Sequence, residues 1–302
     1  MSIVTATYNR SNVLRFAIDS VLTQSLRDWE LIVVGDACTD DTAAVVEAFD
    51  DARIQFVNLP TNTGEQSGPN NEGVRLARGR YIAFLNHDDL WLPHHLAALT
   101  SHLETRPDSD LAFSLTCFVQ PDGSGVLGGA TQGGRYVQWM GVPASSWMLR
   151  RPLWDRIGPW RHYRQCYRPP SQDWLYRAHR AGAVLVAVPT VSVFAIQSAT
   201  RARSYVDRHD HEHARLAERL QDDAGFALRQ ITALAVDTAT LDPRYGTSLA
   251  VRPYVSRAIK NLGRRCLMAV GLDPMTVRAV LRLRRGAVID QYRRVRGLAR
   301  RP

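Results

Sequence analysis

Ser2-Ile3-Val4-Thr5-Ala6-Thr7-Tyr8-Asn9, Leu31-Ile32-Val33-Val34-Gly35-Asp36 and Tyr81-Ile82-Ala83-Phe84-Leu85-Asn86-His87-Asp88-Asp89 are three stretches of one kind. Each is a short apolar run that ends in a polar cluster. Continuous apolar runs of this length are what strands buried on both faces of a parallel sheet look like. Between the first two, residues 11–24 carry Val13, Leu14, Ala17, Ile18, Val21 and Leu22 at helical spacing, with Ser11 placed as an N-cap. A strand, a helix and a second strand of this pattern predict an α/β fold with a mostly parallel, Rossmann-like central sheet.

The same alternation continues on both sides. Thr39 or Asp40 starts a helix with Ala44, Val45, Val46 and Phe49 on its apolar face, and 54–59 reads as a third strand. A polar loop, 60–69, precedes a helix over about 70–77. Pro93 sits in the first turn of a helix running to about 104. Leu111–Val119 reads as a strand, Pro121-Asp122-Gly123 as a turn, and 123–134 as a glycine-rich mobile loop. Trp147–Leu149 is a short strand, 172–181 a helix and 184–188 a strand. From 204 onward the pattern is helical. The expected division is a catalytic domain over 1–203 and a helical extension over 204–302.

The chain has 302 residues, 45% of them hydrophobic, enough for a core. Cys38, Cys117, Cys166 and Cys266 form no CxxC pair, so reduced thiols in the cytoplasm are expected in place of a disulfide framework or zinc knuckle. The start reads as a core strand with no basic, then apolar, leader before it. No apolar run reaches the ~20 residues that span a bilayer. The net charge of +9 divides unevenly: residues 252–302 carry +12 and residues 1–251 carry −3. A near-neutral body with a basic tail suits a catalytic domain with an electrostatic docking segment and argues against a nucleic-acid enzyme.

Open parallel sheets bind ligands at the carboxyl ends of their strands. Thr5–Asn9, Asp36 with Asp40 and Asp41, and Asn86–Asp89 all fall at such ends. A single acidic pair there is ordinarily a helix cap. Three clusters at three strand ends point instead to a site. Paired carboxylates suit Mg²⁺ or Mn²⁺, which commonly share their shell with substrate phosphates. Neither GxGxxG nor a Walker A sequence follows the first strand, so a glycine cradle is not the device that holds phosphate here.

Val4–Arg10, Asp19–Ser25, Glu30–Asp36 with Thr39–Thr42, Asn71-Glu72-Gly73, Ala77–Leu85, Asp88-Asp89 and Trp91-Leu92-Pro93, in this order and spacing, resemble a family 2 glycosyltransferase of GT-A fold. The resemblance covers roughly residues 2–190. It implies an inverting transfer from a nucleotide-diphosphate sugar to an acceptor hydroxyl, in cell-surface polysaccharide or glycolipid assembly. It also implies that Thr5, Ala6, Tyr8, Asp36, Asn71 and Asp88 bind the nucleotide sugar, Asp36 through a ring N–H of the base, and that Asp89 binds the metal. Ser171-Gln172-Asp173-Trp174 resembles the family's Glu-Asp motif, which makes Asp173 the base. Two positions depart from the pattern: Asn86, where an Asp is common, and Gln172, where the motif has Glu.

Competing readings accompany these residues. Asp173 in the first turn of a helix also favours the helix dipole. Trp91, Trp147, Trp154, Trp160 and Trp174 can all pack in a core, although Trp160, with Gln172, is expected in the acceptor cleft. His209 and His213 share a predicted helix face that could bind metal or be simply solvated. In the tail, Val277, Val280, Leu281 and Leu283 lie among Arg278, Arg282, Arg284 and Arg285, and Val288, Ile289 and Tyr292 lie near Arg293, Arg294 and Arg296. Such helices suit either an anionic membrane surface, where a lipid-linked acceptor would reside, or packing on the catalytic domain. A nucleotidyltransferase needs a glycine-rich basic loop after the first strand, which Thr5–Arg10 lacks. A non-catalytic nucleotide-binding scaffold is the third function consistent with the changes at Asn86 and Gln172.

Overall fold

The computed structural model of the chain describes residues 1–138, 140–222, 225–229, 266 and 284–299. Nine strands among these residues form one sheet: β1 Ser2–Thr7, β2 Glu30–Gly35, β3 Ile54–Asn58, β4 Tyr81–Phe84, β5 Asp89–Trp91, β6 Leu111–Val119, β7 Gly125–Gly128, β8 Trp147–Arg150 and β9 Leu185–Ala195. Their order is β3-β2-β1-β4-β8-β6-β9-β5, with β7 beside β6. Neighbours from β3 to β4 are parallel. Beyond β4 the sheet is mixed: β8 runs antiparallel to β4 and β6, while β9 is parallel to β6.

Helices α1 Ser11–Leu22, α2 Thr42–Glu47, α3 Ser67–Leu76, α4 His95–Thr105, α5 Arg151–Ile157 and α6 Pro170–Arg180 flank this sheet. Alternation along each strand sends one set of side chains to each face. Ile3, Leu31, Val33 and Ala83 pack with Leu14, Ile18, Leu96 and Leu99 on one side. Val4, Ile82, Phe84 and Phe113 pack with Trp147, Trp154, Trp160 and Trp174 on the other. Removing each of these aliphatic side chains from water stabilises the fold by roughly 1.5–3 kcal/mol. Gly73 is required by close approach, since a Cβ there would meet Val4 Cγ1 at 2.3 Å.

Two segments differ from expectation. The glycine-rich stretch is not simply a loop, because β7 pairs with β6 through Thr116–Gly128 to Val119–Gly125. The last strand extends past 188 to Ala195, carrying Pro189 within it. Proline has no N–H for the ladder, and the β6–β9 register slips where Ser114 and Leu115 pair with Val188 and Val191.

The described parts of the extension pack on the first 203 residues. They are α7 Ser204–Asp207, α8 His211–Asp222 and α9 Ala287–Arg296. Leu216 of α8, with Phe226, joins Leu90, Cys117 and Phe194 in a buried cluster. Within the described residues no helix is long and apolar enough to cross a membrane.

Two buried histidines make the fold acid-sensitive. His95 stacks on Trp91 with ring centroids 4.3 Å apart, and burial, aided by His94, pushes it down to about 3. Burial, aided by Arg10, pushes His213 down to about 4. Unfolded, each takes up a proton near pH 6.5 that the folded form refuses. Their stabilisation is therefore complete above that pH and is lost on acidification, by up to about 1.4 kcal/mol per pH unit for each. Urea midpoints measured from pH 7 to pH 5 should fall accordingly, and His95→Gln should flatten the slope. A midpoint independent of pH over that range would contradict the assignment.

Candidate active site

The carboxyl ends of β1, β2 and β4 are tied together by side chains. Asn9, in the left-handed region at φ 48°, accepts from Thr39 N at 2.8 Å and donates to Thr39 Oγ1 at 3.2 Å. Asp36 is buried. Its Oδ1 accepts from Thr63 N at 2.6 Å and Thr63 Oγ1 at 2.8 Å, and its Oδ2 accepts from Gly64 N at 3.0 Å. His87 Nδ1 lies 3.1 Å from Ala6 O, which can only accept, so Nδ1 carries the proton. Nε2 lies 3.3 Å from Tyr205 Oη. Burial lowers the His87 pKa, and the neighbouring Asp88 carboxylate works against that shift.

These ends open into a cavity of about 570 Å³. Ala6, Tyr8, Asp36, Asp88, Asp89 and Gln172, all expected at the site, line it. So do Asn86 and His87 of the same strand-end cluster, and Glu65, Tyr205, Arg293 and Arg296, which the sequence reading did not assign to it. Burial alone would raise Asp88, but His87, Arg296, the Ser198 N–H at 3.1 Å and Arg10 together hold it well below the usual carboxylate range. Asp89 moves the other way, raised by burial and by the Asp88 charge. Its Oδ2 accepts from Asn86 Nδ2 at 2.8 Å and Ser145 Oγ at 2.5 Å. Asn86 thus fixes the carboxylate in place of adding another. Burial, with the Asp36 charge, pushes Glu65 up to about 7 against hydrogen bonds from Ser67 and the Tyr163 N–H.

Four expected residues stand elsewhere, and each has a physical reason. Thr5 is buried within β1, one residue short of the Ala6–Tyr8 stretch that lines the cavity. Asn71 staples α3 to the loop before α6: its Nδ2 donates to Trp160 O and its Oδ1 accepts from Trp160 N, both at 2.9 Å. Trp160 itself is 2% exposed and packs on Phe84 and Trp147, with centroids 4.9 and 5.8 Å away, so it is core and not cleft. Asp173 is not on the cavity wall, and its Oδ2 is held by Arg177 Nε at 3.1 Å across one helical turn. Arg177 in turn donates to Ile157 O and Pro159 O. Ser171 and Gln172 are the residues of α6 that line the cavity, and the Gln172 amide exchanges two hydrogen bonds with the Val142 backbone. Three of the four expected carboxylates, Asp36, Asp88 and Asp89, therefore line one cavity, and Asp173 does not join them in this structure.

The histidine pair is also corrected. His209 precedes α8 and is exposed, whereas His213 is buried with Nε2 3.2 Å from Asp88 O, so the two share no helix face. The tail divides. Residues 277, 278 and 280–283 lie outside the described residues. In α9 the apolar face is turned inward: Val288, Ile289 and Tyr292 line the cavity. No group of three or more His, Cys, Asp or Glu is arranged to hold a metal among the described residues. Asp88 and Asp89 are the carboxylates that a cation shared with substrate phosphates would meet. Their mutual repulsion, which raises Asp89, is what such a cation would relieve, so the donor set fits one.

The hold of Asp36 on the 62–66 loop yields a test. In Asp36→Asn one of the two acceptor oxygens becomes an amide donor facing N–H groups. A loss of about 2–3 kcal/mol in unfolding free energy is expected, with faster proteolysis between residues 60 and 66. Wild-type stability together with a wild-type cleavage rate would show that the contact does not hold the loop.

Comparison with known proteins agrees with this geometry. Residues 2–128 match the model of the family described as Glycosyl transferase family 2. The putative teichuronic acid biosynthesis glycosyltransferase TuaG of Bacillus subtilis is 36% identical over 118 residues, which are 38% of this chain and 45% of that protein. The UDP-Glc:alpha-D-GlcNAc-diphosphoundecaprenol beta-1,3-glucosyltransferase WfgD of Escherichia coli is 36% identical over 96 residues, covering 32% of this chain and 38% of its own. The chain thus spans less than half the length of these curated relatives. Among solved structures, S. aureus TarS 1–349 shares the fold, with a TM-score of 0.56 at 18% identity over 98% of this chain and 90% of that one. Residues 2–128 are thus similar in sequence to glycosyl transferase family 2, and the fold and the carboxylates at its strand ends agree with that likeness.

Proposed function

We propose that this chain is an inverting glycosyltransferase that moves a sugar from a nucleotide-diphosphate donor to a saccharide or lipid-linked acceptor hydroxyl, in the assembly of a cell-surface polysaccharide or glycolipid. The convergence of Asp36, Asp88 and Asp89 on one cavity at the ends of β1, β2 and β4 carries this reading. A uridine donor is the first to test, because TarS has been solved with UDP-GlcNAc and WfgD is named for UDP-Glc.

The residues divide the work. Asp36 already accepts three hydrogen bonds, and a carboxylate has about four acceptor positions, which leaves one for a ring N–H of the base. Tyr8 supplies an aromatic face at the same end. Asp89, with Asp88 beside it, would hold Mg²⁺ or Mn²⁺, and that ion would contribute Lewis-acid stabilisation of the leaving diphosphate. In the transfer the acceptor oxygen bonds to the anomeric carbon. The bond from that carbon to the diphosphate oxygen breaks with its electron pair on oxygen, and the acceptor proton passes to a base. Asp173 is the base this reading assigns. It stands one residue beyond the cavity-lining Gln172, and acceptor binding has to release it from Arg177.

Release of UDP from UDP-Glc or UDP-GlcNAc in the presence of Mn²⁺, with and without a lipid-linked saccharide, tests the whole. Asp89→Asn should cut turnover by on the order of a hundredfold or more. Asp173→Asn should cut transfer by on the order of 10²–10⁴-fold while leaving UDP affinity unchanged. Transfer at the wild-type rate by the second variant would place the base on another residue. UDP binding without turnover in any metal would favour the scaffold reading, and pyrophosphate released from a nucleoside triphosphate and a sugar phosphate would favour the nucleotidyltransferase.

A peripheral position at the inner face of the plasma membrane belongs to the same reading. Since α9 faces the cavity, docking would fall to Arg278 and Arg282 and the apolar residues between them. Arg278→Gln with Arg282→Gln should reduce co-sedimentation with phosphatidylglycerol vesicles; equal sedimentation would remove membrane docking without touching the catalytic reading.

A further inference from the structure

Helix α9 forms a wall of the cavity, although it begins more than 150 residues after the stretch that matches the family. It is firmly attached. Arg203 N donates to Val295 O at 2.7 Å and Gly286 N to Cys166 O at 2.9 Å. Arg293, 8% exposed, donates through Nη1 to Gly64 O at 2.5 Å and through Nη2 to Ala299 O at 2.9 Å. Gly64 is the residue whose N–H is gripped by Asp36, so α9 is fastened to the loop that closes that end of the cavity. Gly297 ends the helix against Val206, where a Cβ would meet Cγ2 at 2.6 Å.

This attachment brings guanidinium groups to the cavity that no carboxylate among the described residues pairs with directly. The Arg296 guanidinium lies 5.7 Å from the Tyr205 ring centroid and 5.8 Å from that of Tyr292, and its Nε is buried with no partner. Arg10, 2% exposed, lies over the other part of the cluster at 5.2 Å from Tyr205, and its Nε is likewise buried and unpartnered. Arg293 gives its hydrogen bonds to backbone carbonyls. None of the three makes an ion pair with a carboxylate among the described residues, and Asp88 is the carboxylate whose field Arg10 and Arg296 share. A buried guanidinium nitrogen without a partner is costly unless a ligand meets it, and guanidinium groups match phosphate oxygens in shape.

We propose that α9 is a working part of the donor site: Arg296 receives the diphosphate of the nucleotide donor, and Arg293 positions the helix by holding Gly64. The proposal rests on the nucleotide-sugar reading for the identity of the ligand, but the chemistry it requires is a diphosphate in this cavity. The apolar face of α9 is thereby committed to the site, so the phosphate is that of a soluble ligand and not of a lipid headgroup.

Calorimetric titration of the full chain with inorganic pyrophosphate, UDP and uridine tests this. Arg296→Gln should weaken pyrophosphate and UDP by on the order of tenfold or more, about 1.4 kcal/mol, and leave uridine unchanged. Arg296→Lys should recover part of the loss, because charge survives while the planar fork does not. Anionic vesicles should not displace pyrophosphate. Equal pyrophosphate affinity in wild type and Arg296→Gln overturns the proposal, as does absence of pyrophosphate binding to wild type, displacement by the vesicles, or an equal loss for uridine and UDP, which would signal a collapsed pocket. Pyrophosphate binding that depends on Arg296, together with no binding of uridine or UDP, would uphold the anion site while removing the uridine donor.

Discussion

Parallel strands cannot be joined by tight turns, so the carboxyl ends of β1, β2 and β4 have to be held by something other than their connections. Here side chains do it. Asn9 bridges the β1 end to the backbone after β2, Asp36 holds the 63–64 backbone, and His87 donates to the β1 carbonyl of Ala6. Each tie is a polar group satisfied inside the protein, where an unsatisfied one would cost about 1–3 kcal/mol. The cavity is the space these ties leave between the strand ends. Its floor is therefore rigid where the strands are, and its rim depends on the Asp36 latch on the 62–66 loop.

The Asp88 carboxylate is stabilised by His87, Ser198 and two arginines, while the adjacent Asp89 pays for that charge and is raised. A third carboxylate at position 86 would add to the repulsion. Asn86 donates to Asp89 instead, alongside Ser145, so the departure from the family pattern keeps the carboxylate oriented. The arginines come from β1's exit and from α9, at opposite ends of the chain. A bound diphosphate would meet a site whose positive and negative groups are already in place, which is the preorganised arrangement that stabilises developing charge.

What could be read in advance follows from which signals are local. Apolar runs and helical spacing located β1, α1, β2, β4 and β6 to within a few residues, because burial on both sheet faces leaves a direct mark on composition. The strand-end rule then located Ala6, Tyr8, Asp36, Asp88 and Asp89 at the cavity. Asn71 and Asp173, placed by the family resemblance, and Trp160, placed by its loop, do not line the cavity, because they lie on helices and loops whose facing residues depend on packing. Asp173 and Arg177 are four apart on a helix, so their ion pair was visible as spacing, yet nothing local says which partner a carboxylate prefers. The Arg293 contact with Gly64 joins residues 229 apart, and no window of sequence contains it.

The basic tail shows how the same composition serves two purposes. Arginines flanking apolar residues satisfy the description of a membrane-surface helix, and Val288, Ile289 and Tyr292 with Arg293, Arg294 and Arg296 fit it. In the fold, Ile289 and Arg293 are both 8% exposed and Arg294 is outside. An arginine on the apolar side of a surface helix would have to reach back to water; here Arg293 has carbonyls to meet and Arg296 has two aromatic rings. The net +12 of residues 252–302 is thus not a uniform surface charge. Part of it is drawn into the cavity that Asp36, Asp88 and Asp89 line. Gly64 gives its N–H to Asp36 and its carbonyl to Arg293, so the helix that carries Arg296 and the latch at Asp36 share one residue.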